Sequence, residues 1–299
     1  MDLGSGWYSD KKVLGAISDM YSLKKRLKKG KSIAEILLVA DEENLIYTTQ
    51  NYAFHLRSMQ DMQCEAALVG APHDMYRLND LEEIDLGRYK VIIFMNTFKL
   101  QESKWQKIKS RINPKATVIW NYAAGIIGDK FDIENVEKIT GFEIKEHMIG
   151  EFPYIEVMAK DGIRCEMTYK ERKAMAEYKN IPKLSDMPSD SAIAVASRIR
   201  KDGGVSILSC VPPVGRKMIR KICENAGCHM YAPLNSTVYA NDTVMGVFSA
   251  DGKIVQLKKK ADFFDVVNNV HYKDTDSINI NSNYAVFLKE NTDKDNSLI

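Results

Sequence analysis

Residues 87–141 constrain the fold more than any other stretch, because they spell out a strand, a crossover helix and a second strand in succession. Residues 90–95 (KVIIFM) form a short apolar run rich in Ile and Val, the pattern of a strand buried on both faces of a parallel sheet. Trp105, Ile108 and Ile112 then recur at helical spacing in a segment otherwise rich in Lys and Gln. Asn113-Pro114 stops that helix and leaves residues 116–120 (ATVIW) for the next strand. In an open α/β sheet, ligands sit at the carboxyl ends of the strands. Here those ends carry Asn96 and the turn Asn121-Tyr122-Ala123-Ala124-Gly125, which supply no nucleophile, general base or metal-ligand set.

The same alternation extends upstream. Residues 12–29 predict a helix with Val13, Leu14, Ile17, Met20, Tyr21 and Leu27 along one face and Gly30 as its cap. Residues 33–40 (IAEILLVA) predict a first strand, residues 47–62 a helix through Tyr52, Leu56 and Met59, and residues 65–69 a second strand. Repetition of this kind specifies a parallel sheet with helices on both faces. After Gly141 it lapses. Residues 152–159 and 162–168 predict a hairpin around Lys160-Asp161-Gly162, and residues 174–190 a polar, irregular stretch. The doubly wound pattern then resumes with strands at 192–198 and 204–209 and a helix at 215–226 closed by Gly227. From Val238 onward the period is two, through 238–240, 243–249, 253–257 and 284–289, with Asp251-Gly252 as a hairpin turn. Residues 291–299 are expected to fray.

At 299 residues the chain exceeds the usual size of one domain. Its 42 basic and 40 acidic side chains leave a net charge of +2, which argues against a polyanionic partner such as nucleic acid. The basic cluster Lys24, Lys25, Arg26, Lys28 and Lys29 reads as a solvated helix end, where cations complement the helix dipole. Five scattered cysteines fit a reduced, cytoplasmic setting. Cys223 and Cys228 lack the spacing of a zinc site. No apolar run approaches a membrane span, and no signal peptide opens the sequence.

Four chemistries commonly built on such sheets can be tested at the strand ends. A dinucleotide fold needs glycines after the first strand, where this chain has Asp41-Glu42-Glu43-Asn44. Three carboxylates would repel a flavin phosphate as well. A phospho-acceptor site needs an aspartate after the strand at 90–95, and Asn96 stands there. An amidotransferase-type site places an activated Cys on a strained strand-to-helix elbow. The elbow falls within residues 122–125, which contain no Cys. Cys210, at a strand end, reads as a small buried core residue before it reads as a relocated nucleophile. His73 reads as a turn residue bonded to backbone, with ligand contact as the alternative, and Asp41, Glu42 and Glu43 read as a charged surface loop. Trp7-Tyr8 and Trp120-Tyr122 read as packing aromatics, with sugar stacking as the alternative.

The order of residues 33–41 (IAEILLVAD), 70–80 (GAPHDMYRLND), 89–96 (YKVIIFMN), 118–125 (VIWNYAAG) and 135–142 (NVEKITGF) resembles the β-galactosidase trimerisation domain. That domain follows the catalytic barrel in family 42 glycoside hydrolases and their relatives. The resemblance implies a class I glutamine amidotransferase-like, flavodoxin-like α/β fold without the catalytic cysteine, in agreement with the vacant elbow. Residues 204–231, with their SxxPP turn and AGCHMY end, resemble the closing strand and helix of the same domain, and residues 238–288 the small antiparallel β domain that ends these proteins. Residues 1–8 resemble the segment that joins the barrel to it. The implied division is a linker and helix over 1–30, an amidotransferase-like trimerisation domain over 31–234 and a small β domain over 235–299.

No barrel precedes this segment, so the expectation is a C-terminal portion or a barrel-less relative. The two carboxylates of a retaining glycosidase lie about 5 Å apart at barrel strand ends, and no residue here inherits their role. The expected function is a noncatalytic accessory and oligomerisation module, with no cofactor, no metal and no membrane or nucleic-acid partner. Its expected partners are copies of itself, as in a trimer, or a glycosidase barrel. Trp7, Tyr8 and the helix face from Val13 to Leu27 are the expected contact surface. Two other readings stay open: an amidotransferase-like enzyme using Cys210, and a sugar or small-molecule module using a crevice lined by Asp41, Asn96, Asn121 and Tyr122.

Overall fold

A computed structural model of the chain describes residues 10–26, 30–47, 56–128, 130–149, 152–175, 188–249, 254–280 and 284–289. Helix α1 (Lys11–Arg26) leads into β1 (Ile36–Ala40) and a single helical turn, α2 (Asn44–Tyr47). A π-helical turn (Leu56–Asp61) continues into α3 (Met62–Ala67), followed by β2 (His73–Arg77), β3 (Val91–Phe94), α4 (Glu102–Lys109), β4 (Thr117–Asn121) and α5 (Ile133–Thr140). Next come β5 (Ile144–Ile149), β6 (Phe152–Val157), β7 (Arg164–Thr168), the short helix α6 (Tyr169–Lys173), β8 (Ile193–Ile199), β9 (Val205–Ser209) and α7 (Arg216–Asn225). Strands β10 (Ser236–Ala240), β11 (Val244–Ser249), β12 (Ile254–Asp265), β13 (Val270–Asn279) and β14 (Tyr284–Lys289) complete the chain.

The first sheet has nine strands, in the order β2-β1-β3-β4-β9-β8-β6-β5 with β7 also paired to β8. Strands β2, β1, β3, β4 and β9 run parallel, and the alternation along them divides the core into two layers. Leu37, Val39, Ile92, Phe94, Val118 and Trp120 pack against Trp105 and Ile108 of α4 and Val136 and Ile139 of α5. Ile36, Leu38, Val91, Ile93 and Ile119 face the other way, onto Met62 and Ala66 of α3 and Ile219, Ile222 and Cys223 of α7. Strands covered on both faces read as continuous apolar runs for this reason.

The second sheet has five antiparallel strands in the order β10-β11-β14-β12-β13, with Val238, Met245, Val247, Leu257, Phe263 and Phe287 in its core. It abuts the first through a parallel bridge from Val69 to Ser236 and an antiparallel one from Ser32 to Asn241. Gly70 (φ 85°) makes that approach possible, since a Cβ there would collide with the Ala232 and Pro233 backbone.

Several sequence expectations are corrected. Residues 65–69 are not a strand: Glu65 to Ala67 end α3, and the strand beside β1 is β2. Ala66 and its neighbours are good helix formers, and an apolar run this short carries no period of its own. The sheet is mixed, because β8 returns antiparallel to β9 through a turn at Gly203 (φ 90°), and β6, β5 and β7 extend it antiparallel. The expected hairpin of 152–159 with 162–168 does not form, since β6 pairs with β5 and β8 while β7 pairs with β8. Asp251-Gly252 lies outside the described residues, and the strands on either side of it, β11 and β12, are not neighbours. The longest hairpin, β12 with β13, has no counterpart in the sequence reading because its outer residues are polar and its pairing is broken by irregular register between Gln256 and Phe263.

Candidate functional site

The carboxyl edge of the parallel strands brings Asp41, Asn96, Asn121 and Tyr122 together, each at most 5% exposed. The Asn96 Nδ2 group donates to the Asp41 carbonyl at 2.7 Å, while its Oδ1 accepts from the Asp41 N–H at 2.8 Å. One carboxylate oxygen of Asp41 accepts from the Glu43 N–H at 3.1 Å, and the other from the Asn44 amide. The Asn44 Oδ1 in turn accepts from the Lys99 N–H at 2.8 Å. Burial raises the Asp41 carboxyl above the ordinary carboxylate value, against the opposing pull of the Glu43 hydrogen bond. The Asn121 Nδ2 donates to the carbonyls of Met95 at 3.0 Å and Ser58 at 3.3 Å. These polar groups tie adjacent strand ends and their following loops to one another. They occupy the place of a crevice with buried side chains.

Tyr122 sits at the elbow after β4 with φ 75°, the left-handed conformation that a nucleophile elbow requires and that a bulky residue rarely adopts. Its ring is edge-on to Phe98 at 5.8 Å, and burial, reinforced by the nearby Glu146 charge, pushes its hydroxyl up. The next helix, α5, begins only at Ile133, so no helix N-terminus supports this elbow. Cys210 is 1% exposed, and its Sγ lies 3.7 Å from the Ile193 carbonyl. Burial pushes its thiol up, which disfavours the thiolate that nucleophilic chemistry needs.

The remaining sequence candidates separate. Trp120 is core: it stacks on Phe94 at 4.5 Å, meets Trp105 edge-on at 4.8 Å and donates through Nε1 to the Ser206 Oγ at 3.1 Å. Trp7 and Tyr8 lie outside the described residues. Glu42 and Glu43 lie exposed, reaching Arg77 at 3.3 Å and Asn79 at 3.2 Å. Cys223 and Cys228 are buried, and among the described residues no group of three or more His, Cys, Asp or Glu side chains is placed to hold a metal. No described helix is long and apolar enough to cross a membrane.

His73 is not in a loop. It opens β2, at the amino edge of the sheet, and its buried Nδ1 has no hydrogen-bond partner among the described residues. It lines a cavity of about 390 Å³ between the two sheets, together with Ser32, Asp74, Tyr239 and Asn241. Of these only His73 is a candidate in the sequence, with ligand contact as the alternative reading; Ser32, Tyr239 and Asn241 come from two distant segments that no local pattern links to it. On α1, Leu14, Ile17, Met20 and Tyr21 are 48%, 50%, 70% and 65% exposed, which leaves that helix face uncovered.

No protein-family model matches the sequence, and no curated protein matches it either. Solved structures do match in fold. A β-galactosidase from Bacillus circulans sp. alkalophilus superposes with a TM-score of 0.61 at 13% identity, over 88% of this chain and 42% of its own. A catalytic mutant of a GH42 β-galactosidase from G. stearothermophilus gives a TM-score of 0.59 at 13% identity, over 94% of this chain and 44% of its own. The α-L-fucosidase isoenzyme 2 from Paenibacillus thiaminolyticus gives 0.52 at 9% identity, over 93% of this chain and 52% of its own. The chain therefore has the fold of a part of these glycoside hydrolases, and spans less than half the length of the β-galactosidases it matches.

Proposed function

We propose that this chain is a noncatalytic accessory and oligomerisation module of a β-galactosidase-like glycoside hydrolase, corresponding to the trimerisation domain and the small β domain behind it. The observation that carries this reading is the asymmetry of the structural match, 94% of this chain against 44% of a GH42 β-galactosidase. The order β2-β1-β3-β4-β9 in the parallel part is the flavodoxin-like order with its switch point between β1 and β3, and supports an amidotransferase-like domain over 31–234, preceded by a linker and helix over 1–30 and followed by a β domain over 235–299. A vacant elbow and a buried Cys210 support a role without acyl-transfer chemistry. The uncovered face of α1 supports assembly, with copies of the chain or a barrel as partner. Five free cysteines are consistent with a cytoplasmic setting.

The test is turnover of aryl galactoside, glucoside and arabinoside by the purified chain. Hydrolysis by two opposed carboxylates needs a geometry that the strand-end network above does not offer. The expected result is no turnover. Hydrolysis abolished by substituting a carboxylate of this chain would overturn the reading.

A further inference from the structure

The cavity between the two sheets combines features that belong to a ligand site rather than to a packing defect. It is a depression open to solvent on one side, and its volume of about 390 Å³ lies in the range of small-molecule sites. One wall is Tyr239, 67% exposed although it is a large aromatic on a regular strand. Directly across the strand pair from it stands Gly246, where an added Cβ would meet nothing nearer than the Tyr239 carbonyl oxygen at 3.9 Å. The position directly opposite Tyr239 on β11 therefore carries no side chain. The opposite wall is polar, with Ser32, His73, Asp74 and Asn241 converging on it.

The charge in this cavity is balanced. Asp74 accepts from the Ser32 hydroxyl at 2.7 Å and the Tyr89 hydroxyl at 2.8 Å, and Arg88 stands 3.4 Å from its Oδ2. Burial lowers the pKa of His73 despite the adjacent Asp74 charge, which keeps the imidazole neutral at neutral pH. Asn241 spends its Oδ1 on the N–H groups of Thr243 and Val244, both at 2.8 Å, which fixes the amide and leaves its Nδ2 as a donor. A phosphate or carboxylate ligand would find no uncompensated cation among the described residues that line it, and an apolar ligand would cover the polar groups of Asn241 and Asp74 without satisfying them. A neutral molecule with many hydroxyls and one apolar face satisfies both walls.

The geometry points to a neutral pyranoside bound between the sheets, its apolar face against Tyr239 and its hydroxyls toward Asn241 and Asp74. This site lies at the amino edge of the parallel strands, away from Asp41 and Asn96, and it does not depend on how the chain assembles. The fixed donor and acceptor positions provide orientation, and the aromatic wall provides contact area.

The test is a titration of the chain, followed by two-dimensional NMR, with methyl β-D-galactopyranoside and methyl β-D-glucopyranoside as neutral probes and galacturonate as the charged control. Saturable shifts in the millimolar range are expected at residues around the cavity for at least one neutral probe, with galacturonate binding no more tightly. Tyr239→Ala should weaken that binding by about tenfold or more, and Tyr239→Phe by much less, since the ring is retained. Tyr239 is exposed, so both variants should melt with the parent protein. Asn241→Ala gives a second reading from the polar wall and should also weaken binding. Absence of saturable binding by either neutral probe, tighter binding of galacturonate, or equal affinity in Tyr239→Ala would each overturn the site. None of these outcomes bears on the accessory-module reading, which the glycoside assay decides separately.

Discussion

Asn96 clasps Asp41 by both backbone groups, donating from Nδ2 to its carbonyl at 2.7 Å and accepting at Oδ1 from its N–H at 2.8 Å. An amide side chain is suited to this task, because it is a donor and an acceptor at the correct separation to imitate one rung of a β-ladder. The parallel pairing of β1 with β3 is thereby extended beyond the last strand residues, at the edge where an α/β sheet more often leaves its loops free to hold a ligand.

Asn96→Ala removes both bonds and leaves a buried N–H and a buried carbonyl without partners. The expected loss of stability is about 2–4 kcal/mol, from two side-chain hydrogen bonds and the desolvation of the groups left behind. Urea denaturation at neutral pH measures it. A loss below about 0.5 kcal/mol would mean that the loops relax and water reaches Asp41.

Glu35 links the two sheets. Its Oε1 meets Lys90 at 2.8 Å and Lys258 of β12 at 3.0 Å, and its Oε2 accepts from the His229 N–H at 2.8 Å. Burial alone would raise its carboxyl, but the hydrogen bonds from Lys90, His229 and Lys258 outweigh that and hold it below the ordinary glutamate value. A lowered folded pKa gives stability that is complete above the unfolded value and disappears as pH falls through the folded one. Glu35→Gln should therefore be less stable at pH 7 by about 1–2 kcal/mol. The gap between the two proteins should close as the pH drops below about 4. A gap of constant size from neutral pH down to acid would show that charge plays no part in this link.

The thiols should divide by burial. Cys64 and Cys165 are exposed, whereas Cys210, Cys223 and Cys228 are buried. A disulfide reagent is expected to titrate two thiols in the folded chain, with Cys165 the slower of them because burial raises its thiol, and the other three only on denaturation. Rapid modification of Cys210 in the native protein would contradict its placement and reopen the amidotransferase-like alternative.

The exposed face of α1 should drive association. Four large apolar side chains along one helix, Leu14, Ile17, Met20 and Tyr21, form a patch of the kind that seeks a partner. Light scattering over a dilution series should show a mass above that of the monomer at micromolar concentrations, and Ile17→Lys with Met20→Lys should shift the chain toward monomer without lowering its melting temperature. A closed, symmetric assembly is the common outcome for such interfaces. A strictly monomeric parent protein at high concentration would remove this support for an oligomerisation role.

Much of the first sheet was legible because its central strands are covered on both sides. Residues 36–40 and 91–94 are apolar at every position, and Trp105 with Ile108 marks the helix between β3 and β4. The helix closed by Gly227 was legible for the same reason, since Ile219, Ile222 and Cys223 lie on one face and the glycine adopts φ 74° after it. The segment 65–69 was not, because Glu65 is buried by a partner that sequence spacing cannot show: Arg216, whose N–H and guanidinium meet its carboxylate at 2.6 and 2.5 Å.

The sequence by itself determined the strands β1, β3, β4, β8 and β9 and the helices α4 and α7, since the period of apolar side chains is a local property that each of these segments carries alone. It also determined that no cysteine stands at the turn after β4, where Tyr122 is found. Only the tertiary structure decided that β8 returns antiparallel, that Asp41, Asn96, Asn121 and Tyr122 are buried, with Asn96 clasping the Asp41 backbone and Asn121 the Met95 and Ser58 carbonyls, and that Ser32, His73, Asp74, Tyr239 and Asn241 line one cavity. Strand direction, burial of a polar side chain and the convergence of distant residues depend on which surfaces meet. A polar residue is stable in the interior only where its partner arrives from another part of the chain, and that pairing leaves no periodic trace in the sequence.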